Sequence, residues 1–488
     1  MIRRSPKELI ELYWTEVWNN RNAELIRELC ADPIVRHDPG SVTALSLEDQ
    51  IARVRQQSEK AEPYFEHEVL HADDTYVTSV WNMHTRKGER IELCGIEVFK
   101  AVDGKFTDCW NSSYVAGRWG REGDASVPQD LPEPALVATM DGITPAWLQA
   151  VFQHGDVPAP RVSLVATTPI GHGNLSQTIR AAITYNANAA NAADAVGSVI
   201  CKITSGIPQA VSLAGDYGVY HRECEVYRFL GPVPPLATPR AYWARTGADG
   251  RTINLVLEDL SERARPGDQI AGCSVAEAEA VARELAALHS ATWGDPRLDA
   301  ADWLFDRAAL AGRSAEGFAL AVTEWKRRFA GRAEPALIDA IESFVPRIRG
   351  HIEAAAKGDA LIHGEPRVDN VLFEDTPEGP RAWLIDWQFA ARGSPMFDLA
   401  YFLSGSLSPE DRRACEAALI ERHVAAMAEV APEWGLEEAR AEYAMALPVP
   451  LQFTVGAILA MPESDHGDRL LLTLAERNVA ALRDWGLA

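Results

Sequence analysis

The run His363-Gly364-Glu365-Pro366-Arg367-Val368-Asp369-Asn370, followed by Leu384-Ile385-Asp386-Trp387, constrains this chain more than any other feature. Asn370 lies seven positions after His363, and Asp386 lies sixteen after Asn370. Two short strands in that interval would return the Asp386 carboxylate to the side of the Asn370 amide. Hard oxygen donors so placed suit Mg²⁺, which keeps several waters and takes its other ligands from one or two side chains and from phosphates. Phosphoryl transfer is mostly positioning and charge neutralisation, so such a loop also needs a lysine on the phosphates, a base for the acceptor and a cover for the nucleotide.

Each of those groups has a candidate upstream. Val196 to Ile203 reads as a strand with Lys202 near its end among apolar residues, where an ammonium would face nucleotide phosphates. Lys202 needs an anionic partner, and Tyr220 to Tyr227 supplies Glu223 on a helix after that strand. Glu225 stays open, because residues two apart on a helix face different ways and one of the two should reach the lysine. Ile170-Gly171-His172-Gly173-Asn174 could form a tight turn whose backbone donors, at Gly171 and Gly173, approach phosphate; an ordinary hairpin turn is the competing account. Asn254 to Leu260 is an apolar strand running into an acidic turn, and Glu258 and Leu260 would flank the hinge where adenine pairs with backbone groups.

The chain is too long for one compact core. Residues 119–140 have linker composition, with Gly120, Gly123, Pro128, Pro132 and Pro134 among acidic residues. Residues 1–118 read as a small α+β unit. Leu9, Tyr13 and Val17, with Trp14 and Trp18, form the apolar stripe of an opening helix. Glu66–Trp81, Glu89–Ala101 and a strand ending near Trp110 follow as a curved antiparallel meander, which suggests a cone-shaped barrel. Beyond the linker, 161–204 and 241–259 look strand-rich, while 215–230 and 274–358 look helical. The Ala/Asn-rich run Tyr185–Ala195 reads as a flexible hairpin connection.

Residues 141–488 resemble the aminoglycoside phosphotransferase/choline kinase superfamily, more narrowly its ecdysteroid-kinase-like and bacterial phosphotransferase branches. The matches are Tyr220–Leu230, Leu257-Glu258-Asp259-Leu260, Leu288-His289-Ser290-Ala291-Thr292-Trp293, the His363–Asn370 loop, Leu384–Gln388, and Gly393-Ser394-Pro395 through Asp398-Leu399-Ala400. The resemblance implies a bilobal, protein-kinase-like fold with an N-lobe over 141–260 and a helical C-lobe over 261–488. It implies ATP and Mg²⁺ as cofactors, Lys202 and Glu223 as the phosphate-clamping pair, and Asn370 and Asp386 as metal ligands. His363 would brace the catalytic loop and Asp398 would anchor it. Glu365 stands where such loops usually carry Asp as base; a misplacement of about 1 Å can cost roughly a hundredfold in rate. Related branches phosphorylate steroid alcohols, hydroxyacyl thioesters, choline-like alcohols and aminoglycosides, so the implied acceptor is a hydroxyl of a small, largely apolar metabolite. Trp303, Phe305, Trp325, Phe402, Phe453 and Thr454 are candidates for its pocket and equally for the core.

The first unit resembles the SnoaL-like branch of the NTF2-like superfamily, on its opening helix, the Asp32-Pro33-Ile34-Val35 turn and the strands through Phe106-Thr107-Asp108-Cys109-Trp110. His37, Asp38, His84, Asp108 and Trp110 are candidate pocket groups, a general base and an apolar wall. The competing account makes the tryptophans core and the histidines polar strand-end residues. The resemblance implies a homodimer through the sheets. Three whole-protein functions follow: a small-molecule kinase; a kinase whose cone assists elimination or isomerisation; and a nucleotide-binding pseudokinase with a ligand-binding or dimerisation module.

A net charge of −23 argues against nucleic acid and anionic membrane surfaces as partners. Seven scattered cysteines without a metal-binding spacing point to a reduced, cytoplasmic setting. Ser5-Pro6-Lys7-Glu8 stands where a signal peptide needs an apolar core. The uncharged stretch Tyr443–Pro462 approaches spanning length, but Pro448, Pro450 and Gln452 interrupt it, so buried helices are expected.

Overall fold

The computed structural model describes residues 3–88, 90–119, 133–155, 157, 159–171, 175–186 and 195–488. The chain divides into two compact units, Met1–Asp130 and Leu131–Ala488.

The first unit opens with α1 (Pro6–Leu12), started by a Ser5/Glu8 capping box and proline in the first turn. The chain then widens into a π-helical stretch, Tyr13–Asn19, which presents Tyr13, Trp14, Val17 and Trp18 to the core. The apolar stripe therefore continues, though in a wider winding than a plain α-helix. After α2 (Ile26–Leu29), strands β1 (Cys30–Asp38) and β2 (Ser41–Leu45) form a hairpin, and α3 (Leu47–Ala61) follows. Strands β3 (Pro63–Ala72), β4 (Tyr76–Thr85), β5 (Glu92–Val102) and β6 (Lys105–Asn111) make an antiparallel meander, and β7 (Val115–Ala116) adds to β5. The path runs β2-β1-β6-β5-β4-β3, with β1 parallel to β6. The expected single run Glu66–Trp81 is two strands. Asp73 accepts from the amides of Thr75 and Tyr76 at 2.7 and 2.6 Å and turns the chain between them.

In the second unit, α4 (Pro145–His154) precedes the sheet of β8 (Val162–Pro169), β9 (Ser176–Tyr185), β10 (Ser198–Thr204), β11 (Ala241–Thr246) and β12 (Ile253–Glu258), ordered β11-β12-β10-β9-β8. Helices α5 (Pro208–Asp216) and α6 (Val219–Leu230) lie between β10 and β11 in sequence. The segment 187–194 of the expected flexible connection lies outside the described residues, as do 120–132 of the linker. Linker residues 133–139 are fastened to this unit. Val137 exchanges two hydrogen bonds of 2.7 Å with the buried Asn254 side chain, and Trp147 Nε1 donates to the Ala135 carbonyl at 2.8 Å. The Gly/Pro composition reads as a spacer, but the backbone of this stretch satisfies a buried amide.

The helical part begins after β13 (Ala264–Pro266) with α7 (Val275–Thr292), α8 (Arg307–Arg328), α9 (Pro335–Glu342) and α10 (Ile348–Ala355). Strand β14 (Ala360–Ile362) pairs with β17 (Ala391–Gly393), and β15 (Val371–Thr376) forms a hairpin with β16 (Gly379–Leu384). Helices α11 (Pro395–Ser406), α12 (Pro409–Met427), α13 (Leu436–Ala446), α14 (Pro448–Gly456) and α15 (Asp465–Asp484) complete the chain. One core joins this lobe, with Phe318, Trp325, Phe344, Trp387, Phe402 and Tyr443 fully enclosed. Leu436–Leu459 is long and apolar enough to cross a membrane by length and composition; half of that stretch is buried inside the fold. Tyr443, Leu447, Leu451 and Val455 belong to the core, and Val455 accepts from Trp325 Nε1 at 3.0 Å. All seven cysteines are free thiols.

Separately expressed 131–488 should melt cooperatively. Starting the chain at 141 instead strands Asn254, which should cost roughly 1–3 kcal/mol and lower the melting temperature by about 2–6 °C. Differential scanning calorimetry of the two fragments checks this; equal melting temperatures would contradict the fastening role.

Candidate active site

Strand β10 alternates buried and half-buried positions, so Val199, Cys201 and Ile203 enter the core while Lys202 faces the other way. There its ammonium meets Glu223 Oε1 of α6 at 2.5 Å and Asp386 Oδ1 at 3.4 Å. Burial works against the Lys202 charge, but the Asp386 and Glu223 carboxylates outweigh it and hold the ammonium above its ordinary range. Glu225 points elsewhere, pairing with Arg228 and with His221 at 3.7 Å. Arg222 fixes α6 against the second lobe, donating to the carbonyls of Trp303 at 3.0 Å and Gln388 at 2.6 Å.

The loop at 363–370 hangs from one buried carboxylate. Asp398, in the first turn of α11, accepts from the His363 amide at 2.6 Å, the Gly364 amide at 2.8 Å and His289 Nε2 at 3.1 Å. Burial would raise its pKa, but His289 and the loop contacts prevail and keep the carboxyl below its usual range. His289 Nδ1 in turn meets His423 Nε2 at 3.0 Å, inside the lobe. His363 Nε2 donates to the Ile385 carbonyl at 2.9 Å, so the loop is also tied to the segment after β16 that carries Asp386. Burial lowers the His363 pKa and keeps the ring neutral. Gly364 has φ +84°, and a Cβ there would sit 2.0 Å from the Phe389 carbonyl oxygen.

Pairing of Val371 with Leu384 sets Asn370 and Ile385 side by side, and the Ile385 amide donates to the Asn370 carbonyl at 3.0 Å. Asn370 Nδ2 donates to the Glu365 carbonyl at 3.0 Å, which leaves Oδ1 as the amide's free acceptor. Asp386 has φ +68°, a conformation costing about 1–3 kcal/mol for a side chain other than glycine, and such strain gathers at ligand clamps. Among the described residues no group of three or more His, Cys, Asp or Glu is placed to hold a metal ion. One amide oxygen and one carboxylate beside the Lys202 ammonium nonetheless fit Mg²⁺, which takes one or two side-chain ligands and fills the rest of its shell with water and phosphate oxygens.

Gly171 occupies the β8–β9 turn at φ +74° with open space about its Cα; Gly173 lies outside the described residues. Glu258 ends β12 and pairs with Arg263 at 2.7 Å, and Leu260 is buried against Ala237, Ala264 and Trp383. Asp259 lies between Glu258 and Leu260 in the acidic turn. Its carboxylate gathers Arg180 Nε at 2.6 Å and Ser198 Oγ at 2.7 Å, bracing β9 and β10 against the hinge.

Beside the loop lies a cavity of about 370 Å³ whose lining includes Glu365, Arg367, Tyr401, Phe453 and Thr454. Burial raises the Glu365 carboxyl to about 7, opposed by Arg367. Of the six acceptor candidates, Phe453 and Thr454 line this cavity. Trp325 and Phe402 are core, and Trp303 and Phe305 are half-buried near α6 and Phe389. Arg367 and Arg307 were not singled out by the sequence; Arg307 Nη2 donates to the Gly364 carbonyl at 2.8 Å.

In the first unit a cavity of about 490 Å³ is walled by Tyr13, Trp14, Trp18, Phe65 and Trp81, with Arg36, Glu97 and Tyr114 among its polar groups. None of His37, Asp38, His84, Asp108 and Trp110 lines it; His37, Asp38 and Trp110 instead border a separate, open depression with Val42 and Asn111. Strand alternation is the reason: Arg36, Met83 and Thr85 face the cavity, so neighbours His37 and His84 face away. Trp110 stacks on His37 at 4.6 Å and is exposed, and Asp108 holds His37 Nε2 at 3.1 Å. Asp38, at the strand end, accepts from Asn111 Nδ2 at 2.8 Å and meets Arg36 at 3.3 Å. Inside, Tyr114 donates to Glu97 at 2.7 Å, and burial raises the Glu97 pKa. The indole nitrogens of Trp14, Trp18 and Trp81 have no hydrogen-bond partner.

This chain belongs to the phosphotransferase enzyme family, whose model matches residues 179–433, just over half of it. The SnoaL-like domain model matches residues 11–109. Over 80 residues the chain is 32% identical to acyl-CoA dehydrogenase family member 11 of Gallus gallus, covering 16% of this chain and 10% of that protein. The chain thus spans about a tenth of the curated relative it matches. Among solved structures, choline kinase from Cryptosporidium parvum is 13% identical with TM-score 0.43, covering 66% of this chain and 91% of that one. Plasmodium vivax ethanolamine kinase is 10% identical with TM-score 0.41, covering 71% and 90%. An LEH-like epoxide hydrolase of M. tuberculosis is 16% identical with TM-score 0.20, covering 22% and 79%.

Asp398→Asn turns an amide donor toward groups that already donate, and should cost about 3 kcal/mol, a loss of several degrees in melting temperature. Asp386→Asn leaves Lys202 paired with Glu223 and should cost less than about 1 kcal/mol. Thermal melts of the two variants separate anchor from ligand; equal losses would contradict that division.

Proposed function

We propose that the second unit transfers the γ-phosphoryl group of ATP, with Mg²⁺, to a hydroxyl of a small, largely apolar metabolite. The supporting observation is the convergence on Lys202 of a carboxylate from each lobe, beside the Asn370–Asp386 pair and a cavity faced by Glu365. Bound Mg²⁺-ATP supplies the phosphoryl group and the charge that neutralises it. Lys202, held by Glu223, positions phosphate oxygens. Asn370 and Asp386 hold the cation. Glu365 accepts the hydroxyl proton as the acceptor oxygen bonds to phosphorus and the bridging oxygen leaves with ADP. A carboxyl held near pH 7 by burial is suited to that task, since its proton affinity lies close to the working pH.

The decisive experiment is a metabolite-pool phosphorylation screen by mass spectrometry, wild type against Asp386→Ala. A product gaining phosphate and dependent on Asp386 is expected; its absence sinks the kinase reading and favours nucleotide binding without transfer. Because Glu365 acts deprotonated, the rate should rise with pH through the region of its pKa, about 7 or lower once the cation is bound, and level off above it. A profile flat from pH 5 to 9 would remove Glu365 as base. Glu365→Asp withdraws the carboxylate from a cavity shaped around the longer side chain and should slow transfer roughly tenfold to a hundredfold. Faster transfer would show instead that the methylene limits the native rate.

A second reading adds chemistry in the first unit, favoured by its aromatic cavity with Arg36, Glu97 and Tyr114 and three unpaired indole donors. Those groups suit an apolar skeleton carrying a carbonyl or hydroxyl oxygen, with Arg36, Arg53 and Lys60 in the lining to face an anionic substituent. On this reading full-length protein converts the phosphorylated product further, whereas 131–488 stops at it. Identical final products from both by mass spectrometry would leave the cone as a binding module.

A further inference from the structure

The cavity beside Glu365 holds a cation that phosphoryl transfer itself does not require. Arg367 follows the base position by two residues, and its guanidinium is the one Lys or Arg among the residues lining that cavity. Its Nε lies 3.7 Å from Glu365 Oε1 and 3.3 Å from Asp369 Oδ1, yet makes no hydrogen bond, and Asp369 Oδ1 is likewise without one. The guanidinium is therefore held in place by charge, with its Nε enclosed. Asp369 is not part of the lining, so the positive group is the one presented to a ligand.

Among the other polar lining groups, Thr454 and Asn478 are already engaged. Thr454 Oγ1 donates to Asn478 Oδ1 at 2.9 Å, and Asn478 Nδ2 donates to Ser404 at 3.2 Å. Phe453, Leu459, Met461, Leu471 and Leu474 supply an apolar wall. A volume of about 370 Å³ takes roughly a dozen heavy atoms at about 30 Å³ each.

We propose that Arg367 reads an anionic oxygen a few bonds from the acceptor hydroxyl, so that the acceptor is a short hydroxylated aliphatic acid and cationic amino alcohols are rejected. This rests on the phosphotransferase reading of the same site. The hydroxyl meets Glu365, the carboxylate meets the guanidinium fork, and the chain lies against the apolar wall. A charge-assisted hydrogen bond of this kind distinguishes an acid from the matching alcohol by roughly tenfold to a hundredfold. A quaternary ammonium would be brought against a like charge in the same space.

The test is calorimetric titration of the full-length protein, with Mg²⁺ and ADP at neutral pH, using β-hydroxyoctanoate, secondary octanol and choline as probes. Wild type should bind the hydroxy acid at least about tenfold more tightly than the alcohol and choline not measurably. Arg367→Gln should bring the acid down to the affinity of the alcohol while leaving octanol within about threefold, and Arg367→Lys should keep part of the preference. ADP affinity reports whether each variant is folded. Equal binding of acid and alcohol by wild type overturns the proposal, as does choline binding, equal weakening of both probes in Arg367→Gln, or loss of ADP binding in that variant. Phosphate transfer is scored separately on the same compounds. Arg367-dependent binding without phosphorylated product removes the transferase reading and keeps the recognition. Transfer to octanol and β-hydroxyoctanoate with equal kcat/KM keeps the transferase and removes the role of Arg367.

Discussion

The ammonium of Lys202 is the point on which the second unit is organised. Glu223 reaches it from a helix of the first lobe and Asp386 from the hairpin of the second, so two carboxylates far apart in sequence share one cation. A buried and a half-buried carboxylate brought this close would repel without it. Arg222, one residue before Glu223, binds the carbonyl of Gln388, two residues after Asp386, and thereby sets α6 against the hairpin independently of the charge. The alignment of the lobes is thus held twice, once by the shared ion pair and once by an arginine bonded to backbone carbonyls.

Asp398 does the corresponding work for the loop. Its two oxygens take successive backbone amides, which forces the turn at Gly364, where any Cβ would strike the Phe389 carbonyl. His363, neutral and enclosed, then ties that turn to Ile385. Glu365 therefore projects from a backbone fixed on both sides. The extra methylene relative to aspartate extends the side chain toward the cavity and leaves the loop where it is.

Much of this was legible because phosphoryl transfer demands particular residue types at particular separations. The spacing from Asn370 to Asp386 encodes a hairpin, and Val371 does pair with Leu384. Lys202 stood out as a charge in an apolar strand. Glu223 was the choice over Glu225 as partner of Lys202, and the structure pairs them while Arg228 takes Glu225. Arg307 and Arg367, by contrast, were hidden. An arginine in sequence is usually a solvated surface group, and only the packing around the loop shows that Arg307 is buried against the Gly364 carbonyl.

The cone was harder to read because the face of a strand residue depends on every residue inserted before it. Register shifts between Lys100 and Ala101 on β5 and between Cys30 and Val35 on β1 each change which set of side chains turns inward. After the second shift Ile34 and Arg36 face the interior and His37 the outside, although histidine is the residue chemical intuition selects. Glu97 and Tyr114 meet across β5 and the segment leading into β7, a contact that no local pattern encodes. A buried carboxyl bonded to a phenol, ringed by aromatic rings whose enclosed indole nitrogens lack partners, is an expensive arrangement for a core. On the outer face of the same strands Asp108 bonds His37 and Trp110 stacks on it, and His37 and Trp110 border the open depression there.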